Sequence, residues 1–251
     1  MLINGHQLHV EQHGAGDGPV VVLLHHGLGS VRAWKSQIPA LVQAGFRVLA
    51  YDRWGYGSSD SRPGLSQPFF SDDLADLRAL FEQLGLDQVF LVGHSDGGTI
   101  ALYYAAQHSR HVAGLVTVAA HVYVEEKMGL GIFGLRQAYE QDARFRRRMR
   151  RVHGKKAKSV FFHWFDGWTR PQALAWDMRP VLSWINCPAL VMQGSEDEHA
   201  TPQHARDIVA AIPHAELWLF SGAGHMLQRD HAGEFNEKLV DFLNRIAGRD
   251  H

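Results

Sequence analysis

Apolar residues fall into two alternating rhythms along the chain. The runs Val20–Leu24, Phe46–Tyr51, Val89–Val92, Val112–Ala120 and Ala189–Gln193 are short, nearly continuous and rich in valine and leucine. Runs of this kind predict strands buried on both faces. A sixth run, Ala215–Phe220, has a mixed pattern and predicts a shorter strand. Between the runs the spacing becomes helical. Trp34, Ile38 and Leu41 share one face over Trp34–Ala44, and Leu74, Leu77, Leu80, Phe81 and Leu84 do so over Ser71–Leu84. In the second of these Ser71 is the expected N-cap, Asp72 and Asp73 suit the first turn, and Gly85 ends the helix. Thr99–Gln107 and Phe235–Ile246 predict two more helices, and the alternation over Gln7–Gln12 fits one exposed edge strand.

Strands alternating with helices through short connections predict an α/β fold, a mostly parallel sheet with helices on both faces. One stretch breaks the rhythm. From 121 to 180 the sequence is helical and aromatic-rich with no strand signal, which predicts a helical lid inserted into a core made of 1–120 and 181–251.

Composition narrows the partners. The 251 residues carry a formal charge of −1, so the molecule as a whole is not built to attract nucleic acid or an anionic membrane. No apolar run approaches the roughly 20 residues of a membrane-spanning helix. Met1–His6 shows no secretory pattern and Cys187 is the sole cysteine, which together favour a cytoplasmic setting. Cys187 itself reads as a small packing residue. The 17 histidines are scattered, without His-Glu-x-x-His or Cys/His ligand spacing, so no metal is expected, and His251 near the end is read as incidental. A basic run, Arg144 to Lys158, could meet an anionic partner. Phe145, Met149 and Val152 nevertheless form one stripe within it, which fits a lid helix resting on the core with its arginines in water. Oligomeric state is not legible.

The sharpest chemical signal is Gly93-His94-Ser95-Asp96-Gly97-Gly98, directly after a predicted strand and directly before a predicted helix. In that context Gly-x-Ser-x-Gly makes a tight turn that lifts the serine hydroxyl above the sheet. A serine needs a base, and the base needs an orienting acid. Asp197 follows the strand ending at Gln193, with Glu196 and Glu198 as alternatives. His225 lies in the loop before the last helix, with His231 as the alternative. Backbone N–H groups of Leu28, in the glycine-rich turn His25–Ser30, and of Asp96, at the helix start, are the expected oxyanion donors.

Leu24–Ser30, Tyr51-Asp52-Arg53-Trp54-Gly55-Tyr56-Gly57-Ser58-Ser59, the Ser95 turn, Gly194-x-x-Asp197 and Gly224-His225 together resemble the α/β-hydrolase family. The resemblance runs from about residue 20 to the end, the lid excepted, and implies a structural role for the Asp52-Arg53 loop. Ser95-Asp96-Gly97-Gly98 and Ala120-His121-Val122-Tyr123-Val124 are similar to valacyclovir-hydrolase-like esterases. That similarity implies substrates with an amino group recognised at Asp96. The alternative is that Asp96 is an ordinary first-turn residue. Epoxide hydrolases and haloalkane dehalogenases of this fold place aspartate where Ser95 stands, and cofactor-free haloperoxidases usually place methionine where Asp96 stands.

The reaction expected is hydrolysis of small esters with an apolar acyl or aryl part, through an acyl-enzyme on Ser95 and without a cofactor. Thioester, amide or carbon–carbon bond hydrolysis by the same groups is the alternative, and a non-catalytic ligand-binding protein the distant one. The lid aromatics Phe161, Phe162, Trp164, Phe165, Trp168, Trp176 and Trp184 must divide between packing and a substrate cleft, and Trp164 and Trp168 are assigned to the cleft together with Asp96.

Overall fold

The computed structural model describes residues 1–66 and 68–248; His251 lies outside them. The chain opens with a hairpin of β1 (Leu2–Ile3) and β2 (His6–Gln7), separate from the main sheet. Strands β3 (Val10–His13), β4 (Val20–Leu24), β5 (Arg47–Tyr51), β6 (Val89–His94), β7 (Val112–Val118), β8 (Ala189–Gly194) and β9 (Ala215–Phe220) then form one sheet in the order β3-β5-β4-β6-β7-β8-β9. Within this seven-stranded sheet, among the described residues, β3–β5 is the antiparallel pairing and the other five are parallel.

The expected single edge strand over Gln7–Gln12 is therefore two elements. Asn4 and Gly5 both take positive φ, 47° and 87°, and close a two-residue hairpin that claims Gln7 for β2. The edge position is taken by β3 alone.

Side chains alternate across the sheet, so each central strand feeds two cores. Val21, Leu23, Val92 and Val116 pack on one side with Leu41 of α1 (Gln37–Gln43) and Leu239, Phe242 and Leu243 of α11 (Ala232–Ile246). Val22, Leu24, Leu91 and Leu115 pack on the other with Leu77 and Leu80 of α2 (Ser71–Leu84) and Ile100 of α3 (Asp96–Gln107). Burying one such side chain contributes roughly 1.5–3 kcal/mol, against helix-propensity differences below about 1 kcal/mol per residue. Face burial therefore decides where these helices sit.

The helix starts show the same priority. Ser71 is the first residue of α2 and not its cap; the preceding Phe70 turns left-handed at φ 51° so that its ring is buried, edge-on to Trp168. The first expected helix splits into a short 3-10 turn, Val31–Trp34, and α1, with Pro39 in the first turn of α1 where its missing N–H is not needed. Helix α3 starts at Asp96, earlier than Thr99.

Between β7 and β8 the chain leaves the sheet for α4 (Glu126–Gln141), α5 (Ala143–His153), α6 (Ala157–Thr169), α7 (Pro171–Leu174) and α8 (Arg179–Leu182). In the basic run, Arg146 donates to the carbonyls of Tyr139 and Glu140 and closes the end of α4, while Arg144, Arg147, Arg148, Arg150 and Arg151 are exposed. After β8 come α9 (Gln203–Ala211) and α10 (Leu227–Asp230). No helix among the described residues is long and apolar enough to cross a membrane.

A Cβ added at Gly97 would lie 2.1 Å from the Leu24 carbonyl oxygen, a backbone atom of the central strand. Gly97→Ala is expected to lower unfolding stability by at least the ~1–3 kcal/mol of an overpacked core, read from urea denaturation. An unchanged midpoint would contradict the close approach of α3 to β4.

Candidate active site

Ser95 occupies the single residue between β6 and α3, at φ 55° and ψ −121°. A non-glycine residue there costs roughly 1–3 kcal/mol and persists only where its surroundings hold it. They do: Ser95 N–H donates to Val118 C=O at 2.8 Å, and Ser95 C=O accepts from Gly98 and Thr99 at 2.8 and 3.0 Å. A Cβ at Gly93 would lie 2.2 Å from the Gly97 carbonyl oxygen. Both glycines of the motif are thus required by backbone contact.

Asp197, in the loop after β8, is fully buried, and each carboxylate oxygen accepts twice. Oδ2 takes His225 Nδ1–H and Gln193 Nε2–H, both at 2.8 Å. Oδ1 takes the backbone N–H of His199 at 2.8 Å and of Ala200 at 3.1 Å. With Nδ1 committed to Asp197, Nε2 of His225 is the nitrogen left to accept a proton. Glu198 accepts His225 N–H at 2.9 Å, Glu196 is exposed, and the His231 ring packs on Phe220. Glu198 thus touches the His225 backbone but not its ring nitrogen Nδ1, which bonds to Asp197. Among the described residues no hydrogen bond of the site joins Glu196 or His231 to either ring nitrogen. His94, next to Ser95, holds the same loop: its Nε2–H donates to His225 C=O at 2.9 Å and its Nδ1 accepts from Gln228 at 2.8 Å.

Leu28 lies in the loop after β4, closed by Gly29 N–H donating to His26 C=O at 3.0 Å. Asp96 opens α3, where N–H groups and helix dipole favour negative charge. Its Oδ1 accepts from Trp168 Nε1 at 3.3 Å, and its Oδ2 lies 3.8 Å from Arg53. Arg53 pairs with Asp73 at 3.0 Å, Asp73 with Arg62 at 2.9 Å, and Arg62 with Asp72 at 2.5 Å. Of these five groups only Asp72 is substantially exposed, so the chain of charges runs from the site to the surface.

Ser95, Asp96, His225 and Leu28 line one cleft of about 500 Å³, and Trp164 and Trp168 line it too. The stripe Phe145, Met149 and Val152 faces this cleft, beside Met128 and Ile132 of α4. Trp184 is 58% exposed, and Phe161 stacks on Tyr139. His121 and His199 also line the cleft, with ring centroids 6.0 and 4.8 Å from that of His225. Neither was assigned to the site from the sequence: His121 entered only within the run Ala120–Val124 and His199 not at all, because each lies in a loop with no spacing signal; their place just past the ends of β7 and β8 is the available cue. Among the described residues no group of side chains could hold a metal ion.

Residues 19–166 match the family model for the alpha/beta hydrolase fold. The human "Serine hydrolase BPHL" is 32% identical over 250 residues, covering 97% of this chain and 85% of that protein. A 2-hydroxy-6-oxo-6-phenylhexa-2,4-dienoate hydrolase of Burkholderia cepacia is 26% identical, covering 91% of this chain and 89% of that one. Among solved structures, the enol-lactonase from Burkholderia xenovorans LB400 superposes with a TM-score of 0.79 at 25% identity, covering 97% of this chain and 99% of that chain.

Burial dominates the ionisation of the site. It pushes His26 down to about 3, with the His225 and Arg53 charges adding, and His199 down to about 4, with His225 adding. Burial also holds His153 down to about 4 against the opposing hydrogen bond to Leu28. At Asp197 burial raises the carboxyl, but the His225 charge and hydrogen bond outweigh it and leave the group below the usual carboxylate range. A histidine held below its ordinary value of about 6.5 binds fewer protons folded than unfolded between the two values, so acid favours the unfolded chain in that window. Asp197 acts in the same direction at lower pH: its stabilisation is present above about pH 4 and lost as pH falls through the folded value. The melting temperature should therefore fall as pH drops from about 6.5 towards 4, and a melting temperature flat over that range would contradict neutral buried histidines.

Proposed function

We propose that this chain, which belongs to the alpha/beta hydrolase fold family, cleaves small esters through an acyl-enzyme on Ser95. The observation that carries the reading is the 2.8 Å bond from His225 Nδ1 to a fully buried Asp197, set at the cleft that Ser95 also lines. In the first half-reaction Ser95 Oγ attacks the ester carbonyl while His225 Nε2 takes the hydroxyl proton. The backbone N–H groups of Leu28 and Asp96 stabilise the oxyanion, each worth about 10²–10³ in rate. The intermediate collapses, the carbon–oxygen bond to the alcohol breaks, and His225 gives the alcohol its proton. Water, deprotonated by His225, then releases the acid, with Asp197 holding the imidazole tautomer and stabilising its charged form. No step requires a metal or cofactor.

The wall of the cleft supports an apolar acyl or aryl group, and Asp96 supports an amino group close to the reacting carbonyl. The charge chain from Asp96 to Asp72 holds three carboxylates against two guanidinium groups, a net negative charge. Arg53 is nearer to Asp73 than to Asp96, 3.0 against 3.8 Å, so Asp96 keeps negative character at the cleft. This favours a cation and repels an acid.

Hydrolysis of p-nitrophenyl esters from acetate to octanoate, and of amino-acid esters, should be lost in Ser95→Ala. Asp197→Asn should cut kcat by roughly 10⁴ while leaving the fold intact. A protein that labels with fluorophosphonate but hydrolyses none of these esters would move the reaction to thioester, amide or carbon–carbon bonds. Asp96→Asn should lower kcat/KM on amino-acid esters about 10–100-fold more than on matched uncharged esters, the worth of a charged hydrogen bond. Equal losses on both would remove Asp96 from amino recognition.

A further inference from the structure

We propose that His153, the last residue of α5, is a positioning residue for the loop that carries Leu28, so that the seating of the helical lid sets the oxyanion hole. The inference rests on the reading of Leu28 as an oxyanion donor. The His153 imidazole is 2% exposed and closes on two loops of the sheet domain at once. Its Nδ1 accepts the N–H of Gly57 at 3.0 Å, and its Nε2–H donates to the carbonyl of Leu28 at 3.1 Å.

A peptide group moves as a plane, so fixing the Leu28 carbonyl fixes the plane that follows Leu28. The plane before it, which contains the Leu28 N–H, begins at Gly27. There a Cβ would lie 2.1 Å from Trp164 Nε1 and 2.7 Å from Asp96 Oδ2. Trp164 belongs to α6 and His153 to α5, so both planes that flank Leu28 are braced by side chains of the lid. Oxyanion stabilisation depends on donor direction, and an error of about 1 Å in positioning costs up to 10²-fold in rate.

Neighbouring contacts fasten the same turn of the lid. Lys156 donates to the carbonyls of Tyr56, at 3.0 Å, and Ser59, and Arg32 donates to the Arg151 carbonyl at 3.2 Å. Of these three side chains, His153 is the one bonded to Leu28. The role also requires a neutral imidazole, since Nδ1 accepts from Gly57 while Nε2 donates to Leu28.

The test compares His153→Phe, which keeps a ring and loses both bonds, with His153→Gln, whose amide can donate to Leu28. Steady-state hydrolysis of p-nitrophenyl butyrate, fluorophosphonate labelling rate and melting temperature are measured for each. The expected result is a kcat lowered about 10–100-fold in His153→Phe, short of the loss from deleting a donor outright, with KM within about twofold. Labelling of Ser95 should slow in parallel, and His153→Gln should recover most of kcat. A folded His153→Phe with the kcat of the unmodified protein, or a loss confined to KM, overturns the proposal. Should His153→Phe fail to fold, His153→Asn decides, since it can keep an acceptor towards Gly57 and withdraws the donor from Leu28. Unchanged kcat in His153→Asn also overturns it. Hydrolysis that survives Ser95→Ala would instead overturn the serine-hydrolase reading itself, a separate outcome.

Discussion

A side chain at position 93 or 97 would have to occupy the space of a backbone carbonyl, and this crowding is the constraint on which the site depends. Because α3 packs within reach of the Leu24 carbonyl, the chain has one residue in which to turn from strand to helix, and that residue, Ser95, is forced to positive φ. The strain is met by hydrogen bonds to β7 and α3. The same packing brings the first turn of α3 against the loop after β4, so the N-terminus of a helix, the Gly27 backbone and the Ser95 hydroxyl converge without any long-range search. Burial of the alternating faces of β4 and β6 supplies the free energy that maintains the strained turn.

Electrostatics then follows from how each buried charge is met. Asp197 has no access to water, yet four donors satisfy it, and the carboxylate stays ionised in a place where an unpaired one would not. The histidines around His225 are treated in the opposite way: burial keeps His26, His94, His121 and His199 neutral. His225 is thereby surrounded by rings that do not compete with it for a proton at neutral pH.

The parts legible in the sequence were those whose pattern is local. The Ser95 turn, the acid loop after Gln193 and the Gly224-His225 loop each sit at the end of an apolar run, and a parallel sheet brings such ends together. The aromatic density of the strandless stretch signalled rings that both pack and line a cleft, but not which do which: Trp164 and Trp168 line the cleft, whereas Phe161 stacks on Tyr139 and Trp184 is exposed. What was not legible depends on contacts across 70 or more residues. Trp168 to Asp96 spans 72 residues, Glu125 to Thr201 spans 76, and His153 to Leu28 spans 125. Neither the stretch around His153 nor that around Leu28 carries a mark of the other. The Asn4-Gly5 hairpin was legible in principle, since Asn-Gly is the residue pair that a two-residue turn needs, but the alternation of Gln7–Gln12 obscured it.

The chain of charges from Asp72 to Asp96 bears on how the family can diversify. Replacing Asp96 with a neutral residue leaves Arg53 and Arg62 matched by Asp73 and by the half-exposed Asp72, two charges against two. Removing one partner of a buried pair costs about 3–5 kcal/mol, but Arg53 keeps its 3.0 Å pair with Asp73, so that full cost falls on loss of Asp73 and not on loss of Asp96. The residue after the serine can therefore change while positions 53, 62 and 73 stay as they are, whereas a change at position 73 strands both guanidinium groups. The charge at the floor of the cleft is in this way open to single substitution at position 96, while Asp73, which holds two arginines, is the member of the set that mutation can least easily remove.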